Sequence, residues 1–246
     1  MAIDPPPPRV VEISAGTGLE TGAERTISKS LSTWRGRLWA WFDMLVIDHG
    51  LVRMVFFNRG RVGDGVWRAA QPAPHQLRAE ARKGVRTILN LRAERDCGAF
   101  LLEEETCAEL GLTLVNLQVR SRDVPSKEMI WALDRLFQES DRAILMHCKS
   151  GSDRTGIVGT LYQVLQDDVP VADAVRSQLH WRWGHVRQHK TGMLDFFFES
   201  YLVDTRERPM SFRQWVDEVY DPETVKARFM ERFNPILGFD LMFWRE

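Results

Sequence analysis

Between Val66 and Gln166 the chain alternates short β-branched apolar runs with longer segments of helical periodicity. No other feature limits its fold as much. Residues 66–68, 85–91, 112–119 and 143–147 read as strands, the later ones apolar enough to be buried on both faces. Between them, residues 72–83 read as a helix stopped by Gly84, and 101–110 as a helix stopped by Gly111. Ser126 caps a third helix whose stripe is Met129, Ile130, Leu133, Leu136 and Phe137. A fourth follows Arg154 to about Gln166. Strands that alternate with helices imply an α/β fold, with a central, mostly parallel sheet flanked by helices.

The flanks read differently. Residues 1–30 start from a proline tract (Pro5, Pro6, Pro7 and Pro8) and hold few large apolar groups, so they are expected to form a disordered tail. Residues 31–60 read as an N-terminal amphipathic helical extension, with Trp34, Leu38, Trp41, Phe42 and Leu45 at helical spacing. Residues 61–246 then form the α/β domain, with C-terminal helices near 172–179, 193–202 and 212–219. The stripe of the extension admits two readings. It can pack on its own domain, which Asp43 and Asp48 favour by opposing an anionic surface. Alternatively its tryptophans, with Arg35 and Arg37, can make a weak contact with a membrane surface through residues 34–45.

The chemistry concentrates in His147, Cys148, Lys149, Ser150, Gly151, Ser152, Asp153, Arg154, Thr155 and Gly156, after a buried strand and at the start of a helix. A loop in that position points backbone N–H groups at one spot and adds the helix dipole, which makes an anion cradle. It is not a nucleotide phosphate loop, because Ile157 stands where the lysine must be. A cysteine at the start of such a loop is expected to ionise readily, and an arginine at its end can hold two phosphoryl oxygens. Together they suit in-line attack on a phosphate monoester.

At these residues the chain resembles the cysteine-dependent protein tyrosine and dual-specificity phosphatase superfamily. The signature His-Cys-x5-Arg-Ser/Thr is met by His147, Cys148, Arg154 and Thr155. The run from Trp67 to Pro72 looks like the family's entry strand and turn. The resemblance implies a phosphomonoester hydrolase with Cys148 as the nucleophile that becomes phosphocysteine. Arg154 would bind the phosphoryl group together with the loop residues Lys149, Ser150, Gly151, Ser152 and Asp153. His147 would orient the loop, and Thr155 would assist departure of the sulfur. The implied substrates are phosphotyrosine or phosphoserine/threonine proteins. A phosphoinositide is the alternative, as is a pseudophosphatase that binds phosphate without turnover.

A departing alkoxide needs a proton, and two carboxylic acids compete to supply it. Asp123 lies on a loop between a strand and a helix, in the position of the superfamily's mobile acid loop. Asp153 lies within the phosphate loop, as in myotubularin-type and Sac-type lipid phosphatases. Lys149 adds one positive charge, but Ser152 replaces the second loop lysine of the phosphatase-and-tensin type.

His180, Arg182, His185, Arg187, His189 and Lys190 form a basic cluster around Trp181 and Trp183, which reads first as a solvated helix face with its tryptophans turned inward and otherwise as a rim of the phosphate pocket or a contact for an anionic headgroup. His185 and His189 have metal-compatible spacing, yet Val186 replaces the glutamate of the zinc-protease pattern, so neither a metal nor a cofactor is expected. Cys97 and Cys107 read as core residues, the alternative implied by the resemblance being a resolving cysteine that pairs with Cys148. With 33 basic and 34 acidic residues and a net charge of −1, nothing global points to nucleic acid. The N-terminus lacks a secretory pattern and no apolar run is long enough to span a membrane, so the expected location is cytoplasmic. Nothing in the residues sets an oligomeric state.

Overall fold

The strands are β1 (Val10–Ile13), β2 (Glu20–Thr21), β3 (Gly60–Gly63), β4 (Val66–Ala70), β5 (Thr87–Asn90), β6 (Thr113–Leu117) and β7 (Ile144–Cys148). They form one sheet in the order β2-β1-β6-β5-β7-β4-β3 in the computed structural model, which describes residues 10–13, 20–21, 31–140, 143–187 and 191–232. The five inner strands are mutually parallel, while β2 and β3 run antiparallel at the two edges.

The helices are α1 (Trp34–Phe42), α2 (Gly50–Val55), α3 (Pro74–Arg82), α4 (Gly98–Leu110), α5 (Lys127–Glu139), α6 (Asp153–Gln166), α7 (Val171–Gln178), α8 (Gly192–Asp204), α9 (Phe212–Glu218) and α10 (Pro222–Arg232). Alternation along the strands feeds two cores. Leu89, Val115, Ile144 and Met146 face α5, α6 and the C-terminal helices, whereas Ile88, Leu114 and Leu145 face Leu77 of α3 and Phe100 and Cys107 of α4. Both faces are covered, as a parallel sheet requires.

β7 sits between β5 and β4, so its successor α6 goes to one face while α4, which follows β5, goes to the other. Neighbouring strands whose connections diverge leave a crevice outside their carboxyl ends. Cys148 is the last residue of β7, at the mouth of that crevice.

Two expectations need correction. Within residues 1–30, expected to be a disordered tail, residues 10–13 and 20–21 are strands, and β1 pairs in parallel with β6 from Val10↔Leu114 to Ile13↔Leu117. An open strand edge supplies backbone hydrogen bonds that need no large apolar core. The other residues of that segment lie outside the described ones.

The extension also packs on a different face from the one its stripe suggested. Ala40 and Met44 are buried with Leu31 against Ala73, Ala99, Leu101 and Leu102, whereas Trp34 is 71% exposed and Leu38 63%. Trp41 and Leu45 are only partly buried. The contact is made by small residues: a Cβ at Gly98 would stand 2.2 Å from the Ala40 carbonyl oxygen. Asp43 accepts a hydrogen bond from the Gly98 N–H at 2.7 Å, which starts α4 three residues before the expected Leu101. Residues Asp43–Ile47 form a π-helical turn, which breaks the periodicity assumed for the stripe. Among the described residues no helix is long and apolar enough to cross a membrane.

Candidate active site

The loop from Cys148 to Ser152 turns the end of β7 into the start of α6. Gly151 makes the turn with φ +74°, and a Cβ there would meet the Ala69 and Ala70 backbone at 2.7 to 2.8 Å. Only glycine combines that conformation with that closeness.

Behind the loop stands Arg68 of β4, fully buried. Its Nη2 donates to the carbonyls of Gly151 (2.6 Å) and Ser152 (3.0 Å), and its Nη1 to the Gln178 carbonyl (2.7 Å) and Oε1 (2.9 Å). Across a trans peptide the N–H points opposite to the carbonyl, so tying back these two carbonyls turns the N–H groups of Ser152 and Asp153 away from Arg68. Burial lowers the Arg68 guanidinium to about 10, against the opposing pull of Cys148 and Asp153. Trp183 lies 4.8 Å under the same guanidinium, and its carbonyl accepts from Ser152 Oγ at 2.8 Å. Asn58 Nδ2 donates to both the Ser150 and Trp183 carbonyls at 2.9 Å.

Cys148 is 2% exposed, and its Sγ lies 3.6 Å from Thr155 Oγ1. His147, fully buried, has its Nε2 2.6 Å from Glu103 Oε1, while Gln71 donates to Glu103 Oε2 at 2.9 Å. Lys149 reaches sideways instead, with its Nζ 3.4 Å from Asp48 of the extension. Asp48 also binds Arg92 at 2.7 and 2.9 Å and Arg53 at 2.8 Å. Burial would raise this carboxyl, but Arg92, then Arg53 and Lys149, outweigh it and hold Asp48 at about 2.

A cavity of about 370 Å³ opens above the loop. Cys148, Lys149, Ser150, Asp153 and Arg154 line it together with Ser121, and His49, Val52 and Arg53 supply the remaining wall. Nothing in the residue pattern of the extension indicated that it walls the site.

The two candidate acids are separated. Asp153 lines the cavity with Cys148. Asp123 lines a different cavity beside Arg120 and Ile157, caps the Val124 N–H at 3.0 Å, and pairs with Lys226 of α10 at 3.3 Å.

Asp153 has a partner the motif did not reveal. Its Oδ1 is 2.7 Å from His185 Nδ1, and His185 Nε2 is 3.0 Å from Asp195 Oδ2 of α8. Burial alone lowers the imidazole, but the hydrogen bonds to Asp153 and then Asp195 outweigh it and push His185 up to about 9. The imidazolium therefore donates from both nitrogens.

His185 thus faces inward, and the tryptophans nearby depart from expectation. Trp181 is exposed, in a 3₁₀ turn rather than a helix, and Trp183 lies between Arg68 and Arg182. His189 and Lys190 lie outside the described residues. Among the described residues no cluster of His, Cys, Asp or Glu is arranged to hold a metal ion. Cys97 and Cys107 are free thiols, both pushed up by burial.

A parallel sheet with a cysteine loop at its switch point and an arginine opening the next helix defines a domain of the tyrosine and dual-specificity phosphatase type. The family model described as DSP-PTPase phosphatase fused to NAD+ kinase matches residues 62–190, a little over half of the chain, and the chain belongs to that family. No curated protein sequence matches it.

Among solved structures, TpbA of P. aeruginosa is similar at 16% identity, covering 71% of this chain and 92% of its own, with a TM-score of 0.50. A cysteine-to-serine form of TpbA in complex with phosphotyrosine is similar at 15% identity, covering 71% and 91%, also at 0.50. The core catalytic domain of the PP-IP phosphatase SIW14 from S. cerevisiae matches at 18% identity, covering 63% and 96%, with a TM-score of 0.45. At these identities the likeness concerns the fold.

Proposed function

We propose that this chain hydrolyses phosphate monoesters through a phosphocysteine formed on Cys148. The observation that carries the reading is the common cavity of Cys148, Asp153 and Arg154 at the carboxyl end of β7. The Cys148 thiolate attacks phosphorus in line while the P–O bond to the leaving group breaks. The loop N–H groups and the Arg154 guanidinium hold the three non-bridging oxygens, whose charge they stabilise without reorganising.

Asp153 is the acid on this reading. The leaving oxygen takes the proton of the Asp153 carboxyl, which draws it from His185 Nδ1 along their 2.7 Å hydrogen bond. Asp195 keeps the resulting neutral imidazole oriented through Nε2–H. In the second step Asp153, now a carboxylate, takes a proton from water as the water attacks phosphorus. The sulfur then leaves with help from the Thr155 hydroxyl, and the proton returns to His185. Asp123, engaged by Lys226 and outside the cavity, has no part in this scheme.

The substrates proposed are phosphotyrosine and phosphoserine/threonine side chains of proteins. The loop's added cation does not by itself call for a polyphosphorylated inositol, because Asp48 already answers the Lys149 charge.

Turnover of p-nitrophenyl phosphate in EDTA tests the reading. Hydrolysis is expected in the native chain and none in Cys148→Ser, with labelled phosphate trapped on Cys148 after acid quench. Asp153→Asn should slow a phosphotyrosine peptide about 10²-fold, and p-nitrophenyl phosphate less, since nitrophenolate leaves with little help. Turnover surviving in Cys148→Ser refutes the mechanism. Phosphate or vanadate binding by a chain that never turns over would make it a phosphate-reading module instead.

A further inference from the structure

Eleven of the seventeen exposed large apolar side chains among the described residues lie between Trp34 and Phe56. Trp34, Leu38, Phe42, Ile47, Val55 and Phe56 are among them, Val55 at 76% exposure. A patch so concentrated marks a place where something binds. Its charges indicate what.

The two acids of the segment, which argued against an anionic surface in the sequence, are both turned inward. Asp43 is spent on the Gly98 N–H, and Asp48 on Arg92 and Arg53. The charged side chains left exposed on the segment are Arg35, stacked 5.3 Å over Trp34, and Arg37, paired with Glu105. The patch is also continuous with the cavity, since His49 and Val52 are exposed residues of the extension and part of the cavity wall.

We propose that the exposed face of residues 34–56 docks on an anionic lipid bilayer. Its tryptophans and phenylalanines seat among the headgroups, and the mouth of the phosphate cavity lies alongside. Apolar side chains with tryptophan among them, an exposed arginine stacked on Trp34 and both acids of the segment engaged inward suit an interfacial segment, since apolar burial and attraction to anionic lipid then add. The docking goes beyond the catalytic reading and stands without it.

The test is co-sedimentation of the full chain with vesicles of phosphatidylglycerol and phosphatidylcholine in equal parts, against vesicles of phosphatidylcholine alone. Binding to the anionic vesicles is expected to be stronger and to weaken with salt. The double variant Trp34→Glu/Leu38→Glu should lose about tenfold or more of that binding. Both side chains are exposed, and p-nitrophenyl phosphate turnover should be unchanged. The proposal fails if the native chain stays in the supernatant with anionic vesicles, or if the double variant binds them as well as the native chain. It fails equally if the patch proves to hold a second copy, so that the variant turns a dimer into a monomer without moving the vesicle partition. Sedimentation is read without turnover, so its failure overturns the docking alone, and loss of hydrolysis overturns the chemistry alone.

Discussion

His185 is the residue whose behaviour depends most on the fold. An ordinary histidine titrates near 6.5, and here two carboxylates hold it at about 9. The native state therefore keeps a proton that the unfolded chain has released, and this stabilisation is complete below about pH 6.5 and is lost as pH rises through about 9. The melting temperature should fall across that interval, and His185→Asn should flatten the slope there. The same variant should lower kcat more for phosphotyrosine than for p-nitrophenyl phosphate. A variant that melts with the native pH dependence would show that His185 is not the titrating group. Cys148 and Arg154 could be proposed from the sequence because consecutive residues of one loop carry them both. His185 could not, because it meets Asp153 across 32 residues of chain, and nothing in its basic cluster singled out that partner.

At the scale of elements, the phosphate loop depends on β4 as much as on β7. Removing the guanidinium in Arg68→Met would leave the buried Gly151 and Ser152 carbonyls without their donor, at about 1–3 kcal/mol for each unsatisfied group. Denaturant melts should show a loss of that order, and inhibition by vanadate should weaken because the loop N–H groups are no longer aimed. Unchanged vanadate affinity would mean that the loop holds its shape without Arg68. Strands and most helices were legible from periodicity, since alternation and the 3.6-residue stripe are local properties. The face that α1 buries was not, because it depends on Gly98 and Ala40 meeting closely and on the π-helical turn that follows. The strand at residues 10–13 escaped notice because an edge pairing draws on backbone groups, which composition does not record.

For the molecule as a whole, Asp48 connects the extension to the α/β body. Held at about 2 against an ordinary 3.8, it contributes stability that is present above about pH 3.8 and is lost as pH falls toward 2. Asp48→Asn should destabilise the chain by about 3–5 kcal/mol at neutral pH, because it leaves Arg92 buried without its counter-ion. Urea unfolding checks this, and a loss under 1 kcal/mol would mean that Arg92 finds another acceptor. The sequence divided the chain at residue 60 because the β-rich alternation starts just beyond it. Tertiary ion pairs crossing that boundary leave no periodic trace. Trimming the gene to its α/β part would therefore strip one wall from the cleft above Cys148 and strand a cation in the interior. A fragment meant to keep the cleft intact has to begin upstream of Leu31.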